Sequence, residues 1–587
     1  MLSSPPTTAS SSNPPTPHTV TSDPRHVGME TYWREVHSIE EEKEGEEEED
    51  DDEEKKSIDE VEMEEAWLME AGLSSLVTGS SEEQQEPLAA EAVLSTLTRQ
   101  QSATVKRRLD NYNETLRKRN RQPVRDVHQL PEHLSSPTRS PTNTPSPALT
   151  PSPPHSRSPP DTQARQADWL LRDSPYSEGI AEHKQRGTCW DCLYVHGHDN
   201  SDTPFLPAPH SQGLTCADDL SSCDLTRLGF ISHIELSTFL LALGVQTKRS
   251  RPPRRRTRDT GVFGVPLDSL LENDRKKFPE IKVPIVFQKL ICVLEQTGLQ
   301  TEGILRVPGS AARLKYLRRE LDRCSMGFDW SAVRQVDAAG LLKLFIRELP
   351  TPLLTHTHLS TYRAVLGIQS VVHQVQALQL LSLLLPEAHR DTLRALLVFL
   401  RKVVSHQDQN RMSLWNVSMV MAPNLFACRH RSNKRSVARQ REEMEEAVGG
   451  AHLIRLMITH QELLWIVPNF LLSQVRQVNQ VSNQRHFGLQ KTKRRLLRKK
   501  NDRNQVTDLC DGVIRVHAPL HTKVSMAIQL DGQTRARDVT AHFQCENSPV
   551  PSLYEVGGNI CERRLHPDSV LLDIYRVNPC CDWLIKP

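Results

Sequence analysis

The sequence predicts a mainly α chain with a small α+β module at its C-terminal end, and three observations carry that expectation. A stretch of about 200 residues from 261 to 470 repeats apolar residues at helical spacing between Pro and Gly breakers. The last 75 or so residues switch to short β-type runs with turn residues between them. The N-terminal third is too polar and charged to bury a core of its own. At 587 residues the chain is also too long for a single core.

Charge is segregated. Lys plus Arg and Asp plus Glu both number 73, so the formal net charge is zero. Yet residues 40–54 are almost wholly acidic, while 248–258 and 491–503 are strongly basic. Whole-chain charge therefore excludes nothing about partners, and local charge does the informing. No uninterrupted apolar run approaches the roughly 18–20 residues of a membrane-spanning helix, and residues 1–21 lack the charged start and apolar middle of a secretory signal. The twelve cysteines are scattered, unlike a dense disulfide framework. A cytoplasmic setting is expected, with recruitment to a membrane or the cytoskeleton as an addition.

Residues 1–165 read as mostly disordered. Seven Ser-Pro or Thr-Pro steps lie at Ser136, Ser140, Thr144, Ser146, Thr150, Ser152 and Ser158. They suit a solvated linker, a set of proline-directed phosphorylation sites or an SH3-type ligand. Two helical islands interrupt the disorder, one around Trp67, Leu68, Leu73 and Leu76, the other from Leu88 to Arg119. The second either docks on the folded part or awaits a partner. Residues 166–260 form a partly helical region, with Ile234, Leu236, Phe239, Leu240 and Leu243 mostly on one side, ending in the basic hinge.

Within 261–470, Phe287, Leu290, Ile291 and Leu294 stand at i, i+3, i+4, i+7, and Leu314, Leu317 and Leu321 at i, i+3, i+7. Residues 341–349 and 392–404 are patterned likewise. Breakers stand at Pro308, Gly309, Pro350, Pro352, Pro386 and Pro423, the last read as a helix end. After the basic connector 471–510, residues 511–587 read as strand, strand, a helix over 535–543, then strands at 552–556, 560–564 and 583–586. That order suggests a β-grasp, ubiquitin-like module.

The run TEGILRVPG at 301–309 places Arg306 between Gly303 and Pro308-Gly309, on a loop between two helices. It resembles the arginine-finger loop of RhoGAP domains. The run at 342–353 (LKLFIRELPTPL) resembles that family's second signature, 410–425 its third, and 264–267 (GVPL) its entry. The resemblance covers about a third of the chain. The acidic N-terminus, residues 271–275 and the C-terminal extension resemble the subgroup of Rho GTPase-activating proteins 18, 28 and 40.

The resemblance implies an all-helical RhoGAP domain, and an activator in trans rather than an enzyme with its own active site. Arg306 is then the finger, the partner is a Rho-family small GTPase in its GTP-bound form, and no cofactor is needed because GTP and Mg²⁺ belong to the partner. It further implies that Lys343 contacts the GTPase, that Arg347 buttresses the finger loop, and that Asn424 hydrogen-bonds the partner's switch region. Asn416 is read as bonding internally. Physical chemistry agrees: charge spreads over a transferring phosphoryl group, and an always-charged forked guanidinium stabilises it. Lys343 and Arg347, four apart, repel on one helix face, and adjacent Glu348 offers relief. Three positions depart from the family pattern: Pro308 for the usual Ser, His389 for Asn and Ala422 for Gly.

No Gly-x-x-x-x-Gly-Lys-[Ser/Thr] loop occurs, which argues against an autonomous NTPase. Cys189 and Cys192 with His196, His198, Cys216 and Cys223 could be read as a zinc site, but their spacing is irregular, and no metal is expected. The basic segments suit solvated linkers or an anionic membrane surface, and nothing resembles a base-reading motif, so no nucleic acid is expected. Two further readings stand beside the activator: a non-catalytic GTPase-binding scaffold on the same fold, and a membrane or cytoskeletal adaptor.

Overall fold

A computed structural model describes residues 29–37 apart from 31, 60–77, 87–118, 174–186, 213–247, 258, 260–324, 327–426, 437–494, 512–519, 524–544 and 550–586. The Ser-Pro and Thr-Pro steps, the acidic run 40–54, Cys189, Cys192, His196, His198, nearly all of the basic hinge and most of 491–503 lie outside the described residues.

The first helical turn, α1, spans residues 32–37. The first helical island becomes α2 (Glu60–Glu70) with a 3₁₀ turn at Ser74–Leu76, and the second splits into α3 (Pro87–Thr96) and α4 (Arg99–Lys118). The break has a local cause: the backbone N–H of Gln101 donates to Thr98 Oγ1 and that of Thr98 to Gln101 Oε1, a reciprocal cap that starts a new helix. These helices dock rather than wait for a partner. Trp67, Leu68 and Leu73 are buried against α6 (Ser222–Ala242), which follows α5 (Tyr176–Arg186). Trp67 donates its indole N–H to Ser237 Oγ at 2.9 Å, and the Arg108 guanidinium lies 5.4 Å from its ring centroid. Each such apolar side chain contributes roughly 1.5–3 kcal/mol on burial.

Glu235, fully buried on α6, ties this layer together. Its carboxylate accepts from Gln101 Nε2 (2.7 Å), Ser177 N (2.9 Å) and Ser177 Oγ (3.0 Å). Burial pushes its carboxyl above the usual range, and those three donors oppose the push.

The central helices are α7 (Leu267–Arg275), α8 (Ile285–Thr297), α9 (Ala311–Cys324), α10 (Gln335–Glu348), α11 (His356–Val365), α12 (Val371–Leu383), α13 (Glu387–Ser405), α14 (Gln407–Asn410), α15 (Leu414–Leu425), α16 (Val437–Thr459), α17 (Gln461–Leu464) and α18 (Asn469–Arg494). Of the apolar positions read from periodicity, Phe287, Leu290 and Leu294 are buried, and the ring centroid of Phe345 is 5.6 Å from that of Phe287. Pro423 does not end its helix. It sits inside α15, in its last turn, where its missing N–H costs a single bond. Asn424 Nδ2 donates to Val420 O at 2.8 Å and supports that last turn.

The C-terminal module is a five-stranded sheet in the order β2-β1-β5-β3-β4, with β1 (Val513–His517), β2 (Ser525–Gln529), β3 (Ser552–Gly557), β4 (Ile560–Arg564) and β5 (Asp582–Lys586). β1 and β5 run parallel at its centre and the other pairs are antiparallel, the arrangement of a β-grasp. Besides α19 (Ala536–Ala541) it contains α20 (Leu571–Val577), which the strand-like residues LLDIYRV concealed. The module is docked rather than tethered. Arg476 of α18 donates to both oxygens of the buried Glu555 (2.6 and 2.8 Å), and Asp224 accepts from Cys561 N, Glu562 N and Asn479 Nδ2. No helix of the described residues is long and apolar enough to cross a membrane.

Candidate functional site

Arg306 stands on the loop from Gly298 to Ser310, which leaves α8 and enters α9. Two apolar side chains, Ile304 and Leu305, each 1% exposed, plug the loop into the core and force the next residue outward. Gly303 turns with φ +68°, and Arg306 N and Val307 N both donate to its carbonyl (2.9 and 2.8 Å). A Cβ at Gly303 would meet Val307 Cγ2 at 2.7 Å, so only glycine closes this turn. Leu305 also has a positive φ, 68°, which is strained for a branched side chain. Arg306 itself is partly exposed, and its guanidinium makes no hydrogen bond or ion pair among the described residues. It folds back so that Nη2 lies 3.4 Å from the place a Gly303 Cβ would take. Next to it, Val307 is 44% exposed.

Three neighbours hold the loop. Asn410, fully buried, donates through Nδ2 to Leu299 O and Val403 O, both at 2.8 Å, and its Oδ1 accepts from Met412 N. Its own carbonyl accepts from Gly303 N at 2.8 Å. Lys343 Nζ donates to Leu305 O at 3.0 Å, across the strained residue. On the far side Gly309 passes so close to Asp337 that a Cβ would sit 3.1 Å from Oδ1. Asp337 in turn accepts from Arg313 Nε (2.6 Å) and Arg334 Nε (2.9 Å) at the start of α10. Burial works against the Asp337 carboxylate, but the bonds from Arg334 and Arg313 outweigh it and hold the carboxyl low.

Lys343, Arg347 and Asn424 come together beside the loop, all buried or nearly so. Arg347 Nη1 donates to Asn424 Oδ1 at 2.8 Å. Of the two cations, Lys343 bonds the loop that carries Arg306, at Leu305 O. One helical turn separates them, and the turn nearer the N-terminus of α10 lies under Leu305. Glu348 pairs with Arg318 at 2.8 Å. Both cations instead meet Glu35 of α1. The backbone N–H of Asn416 donates to Ser413 Oγ, the cap of α15, at 3.2 Å. His389, buried, faces Leu353 O at 3.1 Å through Nδ1. Among the described residues no group of His, Cys, Asp and Glu could hold a metal ion.

Sequence reasoning quoted Asn410 without giving it a task and passed over Asp337 and Glu35. Asn410 had a signal, as an amide beside a left-handed Arg411 (φ 59°) at a helix end. Asp337 had none beyond its place in a first helical turn.

Residues 284–430 match the RhoGAP domain, 513–552 and 548–587 match the RHG40-like C-terminal ubiquitin-like domain, and 44–120 match the Rho GTPase-activating protein 18-like N-terminal SAM domain. The last match falls on α2, α3 and α4. The chain is 38% identical over 611 residues to Rho GTPase-activating protein 18 of Mus musculus, covering 98% of this chain and 91% of the relative. It is 36% identical to number 28 of Mus musculus, covering 96% and 90%, and 36% identical to number 40 of Homo sapiens, covering 95% and 87%. Within the subgroup the sequence leans toward number 40, and these identities are nearly equal across the three. With such identity along nearly the whole of each chain, this protein belongs to the Rho GTPase-activating proteins, in the group formed by numbers 18, 28 and 40.

Proposed function

We propose that the chain accelerates GTP hydrolysis on Rho-family small GTPases by inserting Arg306 in trans beside the transferring phosphoryl group. The observation that carries this is the contrast within one loop. The backbone around Arg306 is clamped by Asn410 and Lys343, while its guanidinium has no partner among the described residues. A structural arginine has its charge met at home; this one is held ready for a charge supplied from outside. GTP, Mg²⁺ and the attacking water belong to the GTPase, and this chain contributes a cation and order. A guanidinium delivered this way contributes about 10³–10⁵ in rate, because it meets charge that develops only in the transition state. The GTP-bound form is the one engaged, and Lys343, Arg347 and Asn424 line the docking face.

Single-turnover hydrolysis on GTP-loaded Rho, Rac and Cdc42 proteins tests the reading. At least one should be accelerated by the parent chain and not by Arg306→Ala. Equal rates for the two chains would defeat the assignment.

A further inference from the structure

The docking face just described already has an occupant, and it comes from the far end of the same chain. In α1, Tyr32, Glu35 and Val36 stand at i, i+3 and i+4 and share one side of the helix. Tyr32 is 1% exposed and Val36 4%, and both belong to the apolar core of the helical body. Trp33 packs partly against that core and meets Tyr32 edge-on, ring centroids 5.5 Å apart. Arg34 and His37 face outward. The apolar anchors thereby deliver Glu35 to a chosen place.

That place is the cluster of Lys343, Arg347 and Asn424. Glu35 Oε2 pairs with Lys343 Nζ, and Oε1 accepts from Arg347 Nη1 at 3.3 Å and Asn424 Nδ2 at 3.2 Å. A carboxylate this buried is costly unless cations and donors meet it, and here two cations and an amide do. The contact also uses up the site. Asn424 spends one amide proton on Val420 O and the other on Glu35, while its oxygen accepts from Arg347. An amide has only two such protons, so Asn424 cannot donate to a GTPase while Glu35 is seated.

We propose that α1 is an intramolecular cap on the GTPase-docking face, with Glu35 standing where an acceptor of the partner would bind, and that the GTPase engages only after α1 leaves. The proposal rests on the reading of Lys343, Arg347 and Asn424 as partner-facing. Arg306 lies beside the cap and outside its bonds, so the cap blocks docking rather than the finger. Being on the same chain, α1 competes at an effective concentration on the order of millimolar.

The test uses the full chain, as parent, Glu35→Ala and Tyr32→Ala, after thermal melts have shown each to be folded. Affinity for a GTPase loaded with GDP and aluminium fluoride is measured beside single-turnover hydrolysis at limiting activator. If the capped form is about nine-tenths of the population, both releasing variants bind about tenfold tighter, because apparent affinity scales with the competent fraction. A synthetic peptide of residues 29–37 should return Glu35→Ala toward the parent, and the same peptide carrying Glu35→Ala should not. Parental affinity in both variants overturns the cap, as does a peptide that fails to compete. The double variant Glu35→Ala, Arg306→Ala separates this proposal from the catalytic one: tight binding with slow hydrolysis supports both. Tight binding with fast hydrolysis keeps the cap and removes the finger. Parental binding with slow hydrolysis keeps the finger and removes the cap.

Discussion

Lys343 Nζ lies 3.0 Å from the carbonyl oxygen of Leu305, the residue that precedes Arg306 and carries a positive φ of 68°. The bond fixes the orientation of the peptide unit that presents Arg306. Lys343→Met keeps the buried stem and removes the donor. It is expected to lower the hydrolysis rate at saturating activator by roughly 10–100-fold, since misplacing a catalytic group by about 1 Å has that consequence. Arg347→Ala should act the other way round, raising the dissociation constant through loss of its bond to Asn424 while sparing the saturated rate. Rates at saturation and affinities for the aluminium fluoride complex, measured for both variants, decide between these roles.

Arg306→Ala should lose about 10³–10⁵ in rate and keep most of its affinity for ground-state, GTP-bound partner. Arg306→Lys should restore little, because a point charge cannot reproduce the fork of a guanidinium. Single-turnover rates beside equilibrium binding to a non-hydrolysable GTP complex give both numbers.

Asn410→Ala removes one amide and strands three groups, the carbonyls of Leu299 and Val403 and the N–H of Met412. Leaving buried polar groups unpaired should cost roughly 2–4 kcal/mol of stability. Because the lost amide also holds Leu299 O in the loop that carries Arg306, hydrolysis should fall in parallel. Urea unfolding and single-turnover rates on the same preparation check the pairing.

Arg476→Met should uncouple the C-terminal module from α18. Glu555 is fully buried, and its carboxyl is held low against burial by Arg476 first, with Arg563 and Asn578 assisting. Removing one partner of such a buried cluster costs about 3–5 kcal/mol. Hydrogen exchange should accelerate in β3 and β4 and at residues 215–224, while the helices around Phe345 stay protected.

Acid should destabilise the helical body through His460. Burial, with Arg401 and Arg455 adding to it, pushes this imidazole from 6.5 down to about 4, so the folded chain keeps it neutral where the unfolded chain protonates. Its contribution is complete above about pH 6.5 and is lost as pH falls toward 4. Asp391 works in the opposite sense: burial raises it from 3.8 to about 6, so its contribution fades as pH rises through that interval. The two partly cancel in the parent. His460→Gln should therefore flatten the acid side by roughly 2–3 kcal/mol across the window, leaving the opposing slope of Asp391 visible. Urea unfolding at a series of pH values between 4 and 7 measures the difference.

The local decisions were legible in the residues themselves. Apolar spacing marked the helices around Phe287, Leu317 and Leu396, breakers marked most of their ends, and the flanking Gly303 and Pro308-Gly309 put Arg306 on a loop. Hydrogen bonds four residues apart and turns of a few residues depend on neighbours in the chain, so periodicity and turn chemistry report them. Pro423 and the helix at Leu571–Val577 show where that reasoning ends, since packing carried one helix past a proline and made another from strand-forming residues. The pairings that define the site were decided elsewhere. Glu35 meets Lys343 across 308 residues, Arg476 meets Glu555 across 79, and Gln101 meets Glu235 across 134. A charged or amide side chain carries no mark of its partner in its own sequence, because the partner is chosen by which faces the whole core brings together. Only the packed chain could show that Lys343 bonds the loop that carries Arg306 and that Glu35 is seated on Lys343, Arg347 and Asn424.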